Sequence, residues 1–370
     1  MGWRDREAGR LLTCRIVLAT CDTRRIEDQA LKKLVIQVPC LNEADTLPAT
    51  LAGLPRSIPG IDVIEVLVVD DGSRDGTADV AIAAGADHVV RLRRNKGLAA
   101  AFAAGIDASL KRGADFIVNT DADNQYPGHQ IALLLAPLLR GEADIVIGDR
   151  NIAEVRHMSW RKRQLQRLGS WVVRQVSSTS VPDTTSGFRA YTRDAALRMT
   201  IVSEFSYTLE SIIQAGKKRM AIAHVPIETN PRTRPSRLFD STFSYIKRSA
   251  ATIVRIYAMY EPLKIFTYVG VSVIAVGVLI STRFLYTFLT EDGPLWTRHL
   301  QSLLGAAVVV IIGVQVLLIG LLADVISANR KLLEDLLYRV RSLELPPGPE
   351  DSIGDARELS ATGSTRRRSD

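Results

Sequence analysis

The sequence predicts an α/β domain with a mostly parallel sheet, followed by a juxtamembrane helix and two transmembrane helices. Between residues 34 and 149, five short runs rich in β-branched residues alternate with helical stretches. Strands separated by helices of this length are typical of a parallel sheet covered by helices on both faces. Near the end of the 370-residue chain, two long uncharged segments indicate the membrane helices.

The elements follow one another in a regular order. The predicted strands read LVIQVP, IEVLVVD, HVVRL, FIVNTD and DIVIGD. The helices between them are predicted over Thr46–Leu54, Gly76–Ala84, Lys96–Lys111 and Gly128–Leu139. After residue 150 the alternation weakens: 160–177 is predicted to be a basic helix, DTTSGFRAY a polar turn before a short strand, and MAIAHVPI another strand.

Polar side chains follow four of these strands at the point where each strand ends. Ligands of parallel sheets bind beyond the carboxyl ends of the strands, whereas turns placed at random would scatter such residues over both edges. We therefore expect one site at this edge. Its candidate residues are Asn42 and Glu43, Asp70 and Asp71, Asp121 to Gln125, and Asp149 with Arg150.

The stretch FIVNTDADNQYPG, residues 116–128, ends a buried strand in a cluster of oxygen ligands. In an extended chain Asp121, Asp123 and Gln125 share one face. Neighbouring carboxylates resist desolvation unless a cation or hydrogen-bond donors compensate, and this set suits Mg²⁺ or Mn²⁺ completed by substrate phosphates. An EF-hand is excluded because Tyr126 and Ala132 occupy its glycine and glutamate positions. A solvated Asp- and Asn-rich turn is the alternative.

The segment NKG, Asn95 to Gly97, precedes a predicted helix, and Lys96 adds positive charge where a helix N-terminus favours anions. Gly97, Ala101 and Gly105 recur every four residues, which close helix packing explains. The chain contains no G-x-G-x-x-G and no G-x-x-x-x-G-K-[ST] pattern, so neither a dinucleotide fingerprint nor a Walker loop is supported.

Two uncharged runs, Ile265–Thr282 and Gln301–Ala323, are each long enough to span a bilayer. Basic residues outside this hairpin exceed those in its loop, so both termini and the soluble domain are predicted to be cytoplasmic. The preceding stretch 239–260 combines basic and apolar residues at helical spacing, as in a helix on the membrane surface. An ordinary packed helix is the alternative.

The net charge and the cysteine content limit the classes of ligand and the cellular compartment that we expect for this chain. The net charge is +7, and its basic clusters suit phosphorylated substrates, anionic lipid or nucleic acid. Nucleic acid is disfavoured because no zinc finger, helix-turn-helix or RNP-type motif accompanies them. Cys14, Cys21 and Cys40 lack metal-type spacing and fit a reducing compartment.

The motifs together resemble the family 2 glycosyltransferases, specifically the polyprenyl-phosphate (dolichol-phosphate-type) sugar transferases with a C-terminal transmembrane pair. The resemblance covers roughly residues 33–340. The motifs that carry it are VPCLNE (38–43), VVDDGSRDGT (68–77), NKG (95–97), DADNQYP (121–127), GDR (148–150), TSGFRAY (185–191) and PRTRPSR (231–237).

This resemblance implies a GT-A fold, a nucleotide-sugar donor, Mg²⁺ or Mn²⁺, and inversion at the anomeric carbon. It implies a metal site at Asp121, Asp123 and Gln125. The implied donor-binding residues are Pro39, Asn42, Glu43, Asp71, Lys96 and Asp121, with Asp71 accepting hydrogen bonds from the base.

The implied acceptor is a lipid monophosphate, which is largely deprotonated at neutral pH and needs no catalytic base. Arg150, Arg189 and Arg232 are the predicted acceptor-phosphate ligands, since guanidinium groups bind phosphate in bidentate fashion. The predicted catalytic set is Asp123, Arg150 and Arg189, while Glu210 is either structural or orients Arg189. RPSR departs from the usual G-x-S-K because Arg237 takes the lysine position.

The expected reaction is transfer of one glucose or mannose from a UDP- or GDP-sugar to undecaprenyl or dolichyl phosphate. A processive polysaccharide synthase is one alternative, but 164–168 reads QLQRL and lacks the expected tryptophan. A non-catalytic membrane scaffold is another, and a homo-oligomer stays open. The predicted divisions are an extension (1–32), a catalytic domain (33–232), a juxtamembrane segment (233–264), the hairpin (265–323), a cytoplasmic helix (324–344) and a disordered tail (345–370).

Overall fold

The computed structural model of the protein describes residues 31–150, 181–202, 207–230, 257–290 and 296–345, with the isolated positions 173, 174, 177, 179, 251, 254 and 255. Several predictions fall outside the described residues. They are the N-terminal extension before residue 31, most of the basic helix at 160–177, the PRTRPSR motif with Arg232, most of the amphipathic stretch at 239–260, and the tail after residue 345.

The strands and helices have the following bounds. The strands are β1 (Lys33–Cys40), β2 (Val63–Asp70), β3 (His88–Arg91), β4 (Phe116–Asn119), β5 (Ile145–Asp149), β6 (Arg189–Thr192) and β7 (Ile222–Pro226). The helices are α1 (Leu47–Ala52), α2 (Thr77–Ala83), α3 (Leu98–Lys111), α4 (Ile131–Leu139), α5 (Arg193–Arg198), α6 (Tyr207–Lys217), α7 (Pro262–Thr290) and α8 (Trp296–Glu344).

The strands form one sheet in the order β3-β2-β1-β4-β6-β5-β7. Every neighbouring pair is parallel except for β6, which runs antiparallel to both β4 and β5. The predicted mostly parallel sheet is therefore confirmed. We call the edge where β1, β2, β4, β5 and β7 end the carboxyl edge, and the opposite edge the amino edge.

The direction of β6 has a consequence for the site. Because β6 is antiparallel, its first residue, Arg189, pairs with Asn119, the last residue of β4. The loop that leads into β6 therefore reaches the carboxyl edge. The chain order also reverses beside β1, since β2 lies on one side of it and β4 on the other. Such a reversal opens a crevice at the carboxyl edge, where ligands of open α/β sheets bind.

Hydrophobic side chains cover both faces of the sheet. Val35, Leu67 and Ile117 pack on one face with Phe102 of α3, all fully or almost fully buried. Ile36 and Val68 belong to the cluster on the other face, together with Leu47 of α1 and Leu134 of α4. Because the central strands are buried on both faces, they are continuous apolar runs rather than alternating ones.

The two long helices α7 and α8 contain the predicted uncharged runs and are candidate membrane spans. They pack closely at glycines: a Cβ atom on Gly313 would lie 2.5 Å from Cγ1 of Ile274 and 3.0 Å from the Gly270 carbonyl oxygen. Helix α8 has 49 residues, a length of about 74 Å that exceeds the ~30 Å hydrocarbon core of a bilayer. Residues 324–344, which we call the α8 extension, continue the helix without a break.

The α8 extension packs against the sheet domain at the amino edge. Tyr338 donates a hydrogen bond to Asp194 of α5 at 2.8 Å, and Arg341 donates to the Met199 carbonyl oxygen at 3.1 Å. Lys218, which follows α6, forms an ion pair with Glu334 at 3.0 Å. These contacts fix the extension to α5 and to the end of α6.

Candidate active site

The turn after β1 is hydrogen-bonded to the DDGSRDGT loop after β2. The Asn42 N–H donates to Oγ of Ser73 at 2.9 Å, and the Arg74 N–H donates to Oδ1 of Asn42 at the same distance. Asn42 has a φ of 53°, a left-handed conformation that asparagine tolerates better than most residues. The Glu43 N–H donates to Oγ1 of Thr77 at 3.0 Å. The predicted donor residues Asn42 and Glu43 therefore lie beside this loop, and Pro39 lies in the buried end of β1.

Asp71 holds the NKG segment. Its two carboxylate oxygens accept hydrogen bonds from the Lys96 and Gly97 N–H groups, both at 2.8 Å. Gly72 makes this approach feasible, since its φ is +76° and a Cβ would lie 2.6 Å from the Arg94 carbonyl carbon. Asp71 is almost fully buried and has a positioning role here, so its contact with a base stays a prediction. The side chain of Lys96 is exposed at the carboxyl edge.

Asp121 lies just beyond β4, above the backbone of Gly187. A Cβ on Gly187 would lie 2.9 Å from Oδ1 and 3.0 Å from Oδ2 of Asp121, so the glycine leaves room for this carboxylate. Desolvation and the neighbouring charge of Asp123 raise the pKa of Asp121 to about 7, although Arg150 and Arg189 oppose the shift. An unliganded carboxylate with this pKa gains stability from a nearby cation.

The rest of the DADNQ loop is fixed by its own backbone and by the segment after β7. The Gln125 N–H donates to Oδ1 of Asp123 at 3.1 Å. Asn230 donates through its N–H to the Gln125 carbonyl oxygen and through Nδ2 to the Asn124 carbonyl oxygen, both at 2.9 Å. In the sequence, nothing marks Asn230 as a site residue, because its partners lie more than one hundred positions earlier.

The donor set fits a divalent cation held by few protein groups. Across the described residues, no group of three or more His, Cys, Asp or Glu side chains is placed to hold a metal. The side-chain oxygens of Asp121, Asp123 and Gln125 are hard donors of the type that binds Mg²⁺ or Mn²⁺ together with substrate phosphates, so the residues present fit the predicted metal site. The raised pKa of Asp121 supports this fit, since a cation would favour its ionised form.

Arg150 is held by Asp183. Its Nε donates to Oδ2 of Asp183 at 2.7 Å and its Nη2 to Oδ1 at 3.0 Å, and Nη2 also donates to Oγ1 of Thr185 at 2.8 Å. Burial alone would raise the pKa of Asp183, but Arg150 and Thr185 hold it below its usual value. The Arg150 side chain keeps 15% exposure and lies close enough to Asp121 to lower the pKa of that carboxyl group.

Arg189 is fully buried. Its guanidinium donates to the carbonyl oxygens of Ser186, Thr208 and Thr184 at 2.7, 2.9 and 3.0 Å, and to Oγ of Ser211 at 2.6 Å. These bonds tie the TSGFR loop to α6. The geometry thus assigns Arg189 to positioning this loop, and a direct contact with an acceptor phosphate stays a prediction.

A buried polar network beneath Asp121 was missed by sequence reasoning. Asn119 accepts from Nε2 of Gln37 at 2.9 Å and donates to the Gly187 carbonyl oxygen at 2.8 Å and to Oη of Tyr207 at 2.9 Å. All three side chains are buried. The signal was present, since Gln37 and Asn119 interrupt apolar strands. Glu210 is also buried and accepts a hydrogen bond from the Val202 N–H at 3.0 Å. This contact is consistent with the structural role that was one of the two roles predicted for Glu210.

The reversal of strand order, the carboxylate pair beside it and the following pair of long apolar helices define a GT-A glycosyltransferase with a C-terminal hairpin. The comparisons agree with this class. Residues 35–199 match the model for glycosyl transferase family 2, and residues 261–328 match the model for the GtrB C-terminal hairpin. The chain belongs to glycosyltransferase family 2.

Two relatives, one from Micrococcus luteus and one from Salmonella choleraesuis, are similar to this chain over half of its length or more. An undecaprenyl-phosphate mannosyltransferase of Micrococcus luteus is 32% identical over 51% of this chain and 80% of its own length. An undecaprenyl-phosphate 4-deoxy-4-formamido-L-arabinose transferase of Salmonella choleraesuis is 26% identical over 80% of this chain and 89% of its own length. The relatives thus include polyprenyl-phosphate sugar transferases.

The fold has solved counterparts. Glucosyl-3-phosphoglycerate synthase of Mycobacterium tuberculosis, crystallised with Mn²⁺, UDP and phosphoglyceric acid, superposes with a TM-score of 0.50 at 22% identity. The superposition covers 61% of this chain and 78% of that structure. At this identity the likeness concerns the GT-A fold alone.

Proposed function

We propose that this glycosyltransferase transfers one hexose, glucose or mannose, from a UDP- or GDP-sugar to a polyprenyl phosphate such as undecaprenyl or dolichyl phosphate. The observation that carries the proposal is the Asp121 carboxylate above Gly187 with the charge of Asp123 close to it, in a chain that also has two candidate spanning helices. The two carboxylates would bind a diphosphate together with its cation, and the helices would hold the enzyme at the membrane, where a lipid acceptor resides. The relatives that use undecaprenyl phosphate support the acceptor class.

The donor side depends on charge and position. Asp121, Asp123 and Gln125 would hold Mg²⁺ or Mn²⁺, which when bound would stabilise the negative charge of the leaving nucleoside diphosphate. Asn42, Glu43 and Asp71 are fixed by their loop contacts beside the β1–β4 crevice, where the nucleoside would bind. Exposed Lys96, just before the N-terminus of α3, would add positive charge near the diphosphate.

On the acceptor side, the phosphate monoester would attack the anomeric carbon from the face opposite to the diphosphate, which gives inversion. A bond forms between that carbon and a phosphate oxygen while the bond to the diphosphate oxygen breaks. The acceptor's second pKa lies near 6, so no protein base is required. Arg150, which the structure places close to Asp121, is the described guanidinium best situated to meet the acceptor phosphate, with Arg232 as a second candidate.

The proposed function also includes a cellular location for the catalytic domain. The excess of basic residues outside the hairpin favours a catalytic domain on the cytoplasmic side of the cell membrane, with both termini on that side. Nucleotide-sugars are then available from solution, and the lipid phosphate is available from the facing leaflet.

The test is a panel of radiolabelled UDP- and GDP-sugars, supplied to the purified full-length protein with polyprenyl phosphate and Mg²⁺ or Mn²⁺. We expect one donor to give a lipid-linked sugar monophosphate. Asp123→Ala should lower its formation about 100-fold or more, because metal charge stabilisation is worth several kcal/mol. Asp107→Ala is the matched control, since Asp107 is an exposed carboxylate of α3 paired with Lys111.

Two results would contradict the proposal. One is normal turnover in the Asp123→Ala variant while the wild-type enzyme requires a divalent ion. The other is a wild-type enzyme that elongates a sugar polymer without forming a lipid-linked monosaccharide.

A further inference from the structure

The α8 extension carries an exposed apolar face. Six positions along it are separated by three and four residues in strict alternation, and their five apolar side chains are between 46% and 86% exposed. We call this face the α8 seam. Its members are Ile326, Asn329, Leu333, Leu336, Val340 and Leu343. Spacing that alternates between three and four residues is the heptad repeat of a coiled coil, in which two helices bury such a face against each other.

The seam points away from the protein's own sheet domain. Glu334, Tyr338 and Arg341, which contact Lys218, Asp194 and Met199, lie on a different side of the same helix. At 100° per residue, the mean directions of the two sets differ by roughly 135°. The extension can therefore contact its own sheet domain and another helix at the same time.

The seam lies in the part of α8 that follows its uncharged run. The uncharged run ends at Ala323 and is followed by Asp324, and the seam starts two residues later. From Ile326 to Leu343 it extends for about 26 Å of helix. Lipid that surrounds the uncharged run does not reach along this length, so the exposed apolar side chains need a protein partner.

The residue types on the seam indicate the partner. In heptad notation, Ile326, Leu333 and Val340 occupy a positions, and Leu336 and Leu343 occupy d positions. Two of the three a residues, Ile326 and Val340, are β-branched and both apolar d residues are leucine, a composition that favours parallel two-stranded coiled coils. Asn329, at the remaining d position, is the one polar member of the seam and lowers its stability.

Charges beside the seam are self-complementary. Arg339 occupies a g position and Glu344 the e position five residues later, and both are exposed. In a parallel pair, these positions meet across the interface and form Arg–Glu pairs in both directions. Two copies anchored by the same hairpin have the same orientation in a membrane, so their α8 helices are parallel.

We propose that the α8 seam is a docking surface for a second copy of this chain, which binds it through a parallel two-stranded coiled coil. A seam of fewer than three full heptads would be weak as an isolated peptide. Anchoring in one membrane raises the effective concentration of the two helices and offsets that weakness. The sheet domains stay on the outer sides of the pair, where each remains docked on its own α8 extension.

The first test is disulfide crosslinking of the full-length protein in its membrane. Leu336→Cys and Leu343→Cys introduce cysteines at d positions, whereas Asp335→Cys and Ser342→Cys are matched controls one residue away at c positions. Under copper-phenanthroline oxidation, the d variants should give reducible dimers in at least about five-fold higher yield than the c variants, because only d side chains face each other. The wild-type chain, with Cys14, Cys21 and Cys40, measures the background.

Equal yields from the c and d positions would overturn the proposal, since random collision does not distinguish them. The same oxidation on a chain that ends after Leu345 tests a different occupant. We expect no change in dimer yield. If dimers form only in the shortened chain, residues 346–370 cover the seam in the full-length protein, and the proposal fails.

A charge exchange tests the parallel register. Arg339→Glu in the Leu336→Cys background places Glu against Glu344 and should lower the dimer yield several-fold at low salt. Adding Glu344→Lys should restore it, because the Glu–Lys pairs are again attractive. If neither substitution changes the yield of crosslinked dimer, the parallel pairing is excluded. None of these residues contacts the candidate active site, so the outcome is independent of the proposed transferase activity.

Discussion

At the carboxyl edge of the sheet, Asp71 and Asp183 are almost completely buried. Asp71 accepts hydrogen bonds from two main-chain N–H groups, and Asp183 accepts them from the guanidinium group of Arg150. At the amino edge, Glu261 and Glu334 instead form ion pairs that water still reaches, with Lys217 and Lys218 respectively. Both edges use carboxylates, but they differ in desolvation.

This difference has energetic consequences. A buried charge that loses its partner is destabilised by several kcal/mol, whereas an exposed ion pair contributes about 1 kcal/mol or less. At the amino edge, Lys217 and Lys264 lower the pKa of Glu261 to about 2, although burial alone would raise it. We infer that the carboxyl edge depends on individual groups, whereas the amino edge holds the long helices through many weak contacts.

The largest expected effect concerns Gly187. Gly187→Ala adds a methyl group at a point 2.9–3.0 Å from both oxygens of Asp121, so the carboxylate must move. Displacement of a site group by about 1 Å can lower turnover about 100-fold, and we expect a loss of this size in the transfer assay. Gly305→Ala is the control, because its added methyl group would meet no atom within 4 Å. Normal turnover in Gly187→Ala would show that the position of Asp121 is not critical.

The next effect concerns stability. Arg189→Ala removes the donor for three carbonyl oxygens and one hydroxyl group, all within the protein. A buried acceptor left without its donor costs about 1–3 kcal/mol, so we expect the four together to cost about 3–5 kcal/mol, or a decrease of roughly 10 °C in thermal midpoint. Calorimetry of the detergent-solubilised protein measures it, with exposed Arg140→Ala as a control that should not change. If Arg189→Ala keeps its midpoint and loses only acceptor affinity, Arg189 contacts phosphate after all.

A smaller effect depends on pH. Burial and Asp123 raise the pKa of Asp121 from 3.8 to about 7 in the folded protein. The unfolded chain therefore releases this proton at lower pH, so stability decreases as pH rises from about 4 to about 7. In EDTA, Asp121→Asn should increase the thermal midpoint relative to wild type, and by more at pH 7.5 than at pH 5. An equal difference at both values would contradict the shifted pKa.

The smallest effect is expected at the amino edge. Glu334→Gln removes the negative partner of Lys218 and Arg330, which lie 3.0 and 2.9 Å from it. The three side chains are mostly buried but retain some contact with water, so we expect a loss of about 1–2 kcal/mol, or a few degrees of thermal midpoint. Exposed Asp335→Asn on the same helix is the control. A loss comparable to that of Arg189→Ala would show that the two edges are not different.

Much of the fold could be predicted from local patterns. The apolar runs of β1 and β2 and the helices between them are local in sequence, so their type and order are readable without tertiary information. The antiparallel direction of β6 is different. It depends on the path of the chain between residues 150 and 189, and no periodicity records that path.

The sequence predicted which residues lie at the candidate site, but it did not predict which groups those residues bind. DADNQ and DDGS identify the edge and its carboxylates, because such clusters are unfavourable without a compensating ligand. Arg150 and Arg189 were both predicted to contact phosphate, and the sequence gives no means to distinguish them. The structure places Asp183 on Arg150 and four acceptors on Arg189, since the TSGFR loop returns to the end of β4.

The sequence by itself determined the alternating elements, the family and the two apolar helices, because each depends on residues close together in the chain. Tertiary structure alone decided which arginine is buried, why Gly187 lies beneath Asp121 and which face of α8 is left exposed. Those properties arise from contacts between segments far apart in sequence, where small differences in position determine burial and hydrogen bonding.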